Sequence, residues 1–375
     1  MTPRERFLET LLFGAPDRIP LEPGHGRRST REAWYRQGLP RGTEDINEYA
    51  YRQAGGTQEW PRTGPGFAVN ERMIPQFEER VIERRERSRI VQDGKGNICE
   101  IGNEYGPEDL RNALDFVTRR WIKCPVEGRR DWEKMRERYD PDDPSRLPED
   151  AERLRGELAG RDWPWELDFS GPFWQLREWV GFERLCVLFY DDPQLVRDMI
   201  SFWEEFVSRL LTRTFQLVVP DAVEISEDMA FKDHAMISPE MAREFLLPTY
   251  QRWGEAIRGA GCPVYAMDSD GCIGGLIPVW LEAGINVCDP VEAAAGNELS
   301  DLRRSFGRRM AYRGGVDKRA IAKGGSVIEW ELRRLTPIIH DGGYIPGCDH
   351  AVPPDVAWPD YVRYVGLLAR ETGWV

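Results

Sequence analysis

The chain has 375 residues, of which 41% are hydrophobic, with 15 Phe and 14 Trp; this is enough apolar mass for one large domain or two average ones. Its 64 acidic and 51 basic side chains leave a formal net charge of −13, which argues against a surface made for nucleic acid or anionic membrane. Seven scattered cysteines without a CxxC spacing predict reduced thiols in a cytoplasmic protein, and no run is long enough to span a membrane.

In chain order, MTPRERFLETLL predicts an amphipathic helix behind a Thr-Pro cap rather than a secretory leader. Arg18-Ile19-Pro20-Leu21 predicts an early strand, followed by Gly24-His25-Gly26 and the cations Arg27, Arg28 and Arg31. Asp93-Gly94 between two alternating segments predicts a hairpin. Residues 1–150 otherwise read as an irregular N-terminal elaboration of a single domain covering 1–375. Within 151–375 the pattern becomes regular. The strand candidates are WELDFSG, DAVEISED, PVYAMDSD, INVCDPVE, MAYRGGVD and GYIPGCDH. Helix candidates over 193–218, 239–259, 274–283, 298–306 and 327–340 separate most of them. This alternation predicts a parallel sheet with right-handed crossovers. Acidic or Gly-rich strand ends are the layout of an α/β (β/α)8 TIM barrel with its active site at the C-terminal mouth.

The candidate chemistry lies at those ends. Glu227 and Asp228 follow a buried strand, where paired acids are costly unless satisfied or functional. Glu227 is therefore a candidate general base and Asp228 a substrate contact. Asp268 and Asp270 alternate on one strand face and can converge, although an aspartate there is also a common helix cap. Cys348, Asp349 and His350 offer a thiol, a carboxylate and an imidazole together, and Cys348 also reads as a small core residue. His25 faces the expected mouth, where a turn role is equally consistent.

MTPRERFLETLLFGAPDRIPL, ISPEMAREFLLPTY, RGGVDKRAI and GGYIPGCDHAVPPDV together resemble the uroporphyrinogen decarboxylase superfamily. The resemblance implies the barrel and one of two chemistries. One is porphyrinogen decarboxylation without cofactor. The other is zinc-dependent methyl transfer between a corrinoid carrier and an acceptor. The decarboxylases carry PVWxMRQAGR where this chain reads IPLEPGHGRRSTREAW, which keeps Arg27 and Arg28 nearby but loses the arrangement. His350 falls at the decarboxylase histidine, and the GNVDP element becomes Gly314 to Lys318, which marks Asp317 as a substrate contact. The zinc methyltransferases are similar in an HxCG and a late PGC. Asp268 takes the histidine position, Asp270 the cysteine position, and Cys348 agrees. The resemblance thus implies a divalent metal, zinc or another, on Asp268, Asp270 and Cys348, with Glu227 and His350 handling protons.

No DxHxxG-type motif is present, so a corrinoid is expected on a partner protein rather than in this chain. The expectation is a methyltransferase acting on a small methylated compound. The alternatives are a cofactor-free decarboxylase or lyase with an Arg27/Arg28 clamp, and a non-catalytic small-molecule-binding barrel.

Overall fold

The computed structural model describes residues 1–61 and 64–375. Four strands in the N-terminal elaboration, β1 (Arg80–Arg84), β2 (Ser88–Gln92), β3 (Ile98–Gly102) and β4 (Arg120–Lys123), form an antiparallel sheet in that order. The expected Asp93-Gly94 hairpin joins β2 to β3. The Asp93 carboxylate accepts the N–H groups of Lys95 (3.0 Å) and Asn97 (2.9 Å), which fixes the turn.

Six parallel strands follow: β5 (Glu166–Ser170), β6 (Ala222–Ser226), β7 (Val264–Asp268), β8 (Val287–Val291), β9 (Ala311–Val316) and β10 (Tyr344–Cys348). They pair in sequential order, as single right-handed crossovers produce. Along β5, Leu167 and Phe169 are buried on one face while Glu166, Asp168 and Ser170 take the other. The register aligns Ser170, Ser226, Asp268 and Asp289 in one row, so successive strands end at the same level.

The sheet curls into the α/β barrel that the strand pattern predicted. Arg313 on β9 reaches Glu166 on β5 (2.7 Å), Asp289 on β8 (3.2 Å) and Glu22 (3.0 Å). Helix α1 (Pro3–Leu11), capped by Thr2 and Glu5, closes the floor. Its Phe7 and Leu11 pack with Ala222, Val264, Ala266, Val287, Ala311 and Ile345, which sit in the floor-side halves of β6 to β10. The open mouth is therefore the C-terminal end of the strands.

Two expectations about elements change. The early strand at Arg18–Leu21 is absent as a regular strand. The extended segment beyond it meets β10 only where the Cys348 N–H donates to the Pro23 carbonyl (3.3 Å) and Gly26 bridges Val352. Pro20 and Pro23 have no N–H to give a ladder. The helix expected over 239–259 is two helices, Pro239–Phe245 and Leu247–Gly259, with Pro248 in the first turn of the second. Among the described residues no helix is long and apolar enough to cross a membrane.

Candidate active site at the barrel mouth

The row at the strand ends sets the first layer of chemistry. Ser226 Oγ lies 2.8 Å from Asp168 Oδ1 and 2.9 Å from Asp268 Oδ2. One hydroxyl carries one proton and can donate to only one carboxylate. The other contact therefore needs a protonated carboxyl. Burial raises the Asp168 carboxyl, and burial together with Asp228 and Asp289 lifts Asp268 well above the ordinary range.

The second layer sits on the loops beyond the strands. Asp270 Oδ2 is 3.4 Å from His350 Nε2. The Asp270 N–H donates to Asp228 Oδ1 (3.2 Å), and Asp228 is held at φ +42°, a left-handed backbone that costs a non-glycine residue energy. Lys318 Nζ donates to Glu292 Oε1 (2.7 Å) and stands 3.8 Å from Asp349. Glu292 also accepts the Gly271 N–H (3.1 Å), and Asp349 accepts those of Ala293 (3.0 Å) and Lys318 (3.2 Å). Burial, then Asp228 and Glu292, pushes the Asp270 carboxyl up to about 7; burial pushes Asp349 up to about 6. His350 moves down, through burial and then Lys318 and Arg27.

A cavity of about 540 Å³ reaches this layer. His25, Arg27, Cys348 and His350 line it at the mouth, and Asp289 and Arg313 line it deeper in the barrel. Gly24, at φ +97°, makes the tight turn before His25, and a Cβ there would stand 2.9 Å from Cβ of Cys348. The Arg27 guanidinium lies over the Phe116 ring (4.5 Å) and donates to the Asp115 carbonyl (3.2 Å). Arg28 is turned aside onto Asp109 (2.8 Å) and Asp115 (3.7 Å).

The family model of uroporphyrinogen decarboxylase (URO-D) matches residues 121–365. The chain belongs to this family. No curated protein matches it. Among solved structures, a methyltransferase from Methanosarcina mazei is similar over 99% of both chains, with 13% identity and a TM-score of 0.60. At that identity the likeness shows the fold alone. A B12-independent methionine synthase from Shewanella sp. W3-18-1, in complex with selenomethionine, has 12% identity and a TM-score of 0.41 over 79% of this chain and 74% of its own. That likeness is too distant to use.

Within this family framework, the structure brings Asp228, Asp268, Asp270 and His350 to the mouth, with His25 and Arg27 on the cavity wall. It does not assemble the expected metal triad. Among the described residues no group of three His, Cys, Asp or Glu side chains is placed to hold a metal ion. Asp268 turns to Ser226 and Asp270 to His350, while Cys348 is buried at the end of β10. The donor set as folded does not fit zinc.

Glu227, the expected general base, lies inside the barrel wall. It is fully buried, and its carboxylate accepts the N–H groups of Phe173 (3.3 Å) and Trp174 (2.7 Å) and the hydroxyl of Tyr250. It thereby anchors the N-terminus of helix Pro172–Val180. Asp317 caps helix Lys318–Lys323 through the Arg319 N–H (2.8 Å) and pairs with the Arg319 guanidinium (2.7 Å).

Four residues of the mouth escaped the sequence reading: Asp168, Ser226, Glu292 and Lys318. Asp168 and Glu292 carried the same signal as Asp268, an acid at the end of an apolar strand. Lys318 had no such signal, because a lysine after a strand reads as a solvated side chain.

Proposed function

We propose that this chain transfers a methyl group from a small methylated compound to a corrinoid carried on a partner protein. One observation carries the reading: the Asp270–His350 contact beside the cavity that His350 lines, set among the strand-end carboxyls Asp168, Asp228, Asp268, Glu292 and Asp349. A mouth of this composition suits a neutral or cationic donor and disfavours a substrate bearing many carboxylates. The decarboxylase alternative asks for converging arginines, yet Arg28 is already committed to Asp109.

In the proposed step the bond between the methyl carbon and its heteroatom breaks, and its electron pair stays on the heteroatom. Asp270, with His350 beside it, donates the proton that neutralises the leaving group, while the methyl carbon passes to the nucleophile of the acceptor. Asp228 fixes the Asp270 backbone, and Arg27 and His25, which line the same cavity as His350, orient the donor. No step is routed through a metal.

The test mixes purified protein, a reduced corrinoid protein and a panel of methylated amines, ethers and thioethers, and follows corrinoid absorbance. Methylation by wild type and its loss in Asp270→Asn are the expected results. Carbon dioxide release from a carboxylated substrate, with no corrinoid change for any donor, would overturn the reading in favour of a decarboxylase.

A further inference from the structure

A second chamber, about 450 Å³, lies between the small antiparallel sheet and helix Pro172–Val180, and it meets the mouth cavity at Arg27. Its walls are fixed. Glu178, buried in the barrel helix, binds Lys95 (3.2 Å), Arg119 (3.2 Å) and the Asn97 amide (3.4 Å), which clasps the β2–β3 turn onto the barrel. Glu71 accepts both the N–H (2.9 Å) and the hydroxyl (2.5 Å) of Ser170. Arg146, with no exposed surface, donates to the carbonyls of Asn70 (3.1 Å), Asp140 (2.8 Å) and Arg72. A buried guanidinium thus pins the backbone from which the Arg72 side chain projects.

The charges lining the chamber do not cancel evenly. Glu178 is doubly paired, Glu79 is paired with Arg111 (3.0 Å), and Asp109 and Asp115 hold Arg28. Asp93 is spent on its own turn and Glu71 on Ser170. Burial also pushes the Glu71 carboxyl up to about 7, which favours its neutral form. Among the described residues, two lining guanidinium groups are left without a carboxylate partner: Arg72 and Arg27. Trp174, Met73, Leu110 and Val117 supply apolar wall beside them.

We propose that this chamber is a binding site for a small carboxylate on an apolar or aromatic frame. The carboxylate meets the planar fork of Arg72, which is suited to bidentate pairing, and the frame lies against Trp174. Because its wall segments are already tied down, ordering them on binding costs little. The site is read by binding alone, so methyl transfer can fail without touching it.

Calorimetry on the full chain tests this with three probes: benzoate, benzylamine and inorganic phosphate. Benzoate binds wild type, and Arg72→Gln weakens it by about tenfold or more, the usual worth of a hydrogen bond to a charged group. Trp174→Leu also weakens benzoate, and benzylamine shows no saturable binding. Arg72→Gln keeps the wild-type melting temperature, since its guanidinium holds no protein partner. Benzoate affinity lost in Arg27→Gln but kept in Arg72→Gln would put the ligand in the mouth and overturn the proposal. Benzylamine binding as tightly as benzoate, or phosphate binding more tightly, would overturn the assigned ligand class.

Discussion

Asp270 and Glu227 are both carboxyls that burial pushes up to about 7, yet their surroundings give them opposite fates. Asp270 faces an imidazole at a cavity edge, so its proton is available to a ligand. If it is the donor, kcat is greatest where Asp270 is protonated and falls about tenfold per pH unit above pH 7. A pH–rate profile checks this, and Asp270→Asn abolishes the dependence with the activity. Glu227 faces two helix N–H groups and a phenol, all inside. A raised carboxyl pKa in the folded state stabilises the fold at low pH, and that stability is lost as pH climbs from 4.5 through about 7. Glu227→Gln therefore flattens the pH dependence of denaturant stability across that window. Glu227→Ala leaves three buried donors unmet and costs about 3 kcal/mol or more.

At the scale of elements, the buried parallel strands were legible and the exposed strands were not. Strands β6 to β10 announced themselves as apolar runs ending in acids or glycines, and their ends are the mouth. β1 and β4, with sequences RVIER and RWIK, show almost no buried face, so the alternation that reveals a half-buried strand is missing. Glu227 shows the same limit. An acid after a buried strand signals a demand for partners, but sequence does not say whether a substrate or a helix end supplies them. Gly171 carries the hidden half of that answer. A Cβ there would lie 2.1 Å from the Glu227 carboxyl carbon, so Gly171→Ala displaces the carboxylate from its helix. A loss of about 2 kcal/mol in chemical denaturation is expected. On the floor, Phe7→Ala removes an aromatic plug with no exposed surface and costs about 3–5 kcal/mol.

For the whole molecule, the excess of 64 acidic over 51 basic side chains continues into the mouth, where Asp168, Asp228, Asp268, Asp270, Glu292 and Asp349 face few cations. Carboxyls that burial keeps neutral, Asp270 and Asp349 among them, ionise as pH rises, so the field that draws cationic donors strengthens above neutrality, and it is screened by salt. Raising ionic strength should lower kcat/KM for a quaternary ammonium donor and leave that of a neutral ether unchanged. Equal salt effects on both would remove the acidic field from substrate capture.

The floor plug carries a consequence for how the chain comes off the ribosome. Helix α1 is made before the barrel strands, but its apolar face fits a ring of residues from β6 to β10, the last of them Ile345. Arg313 likewise joins Glu22 to strands synthesised far later. Until those strands are made, Phe7 and Leu11 lack this ring and remain open to wrong contacts or to a holdase. A helix made before the strands is seated only after the last of them.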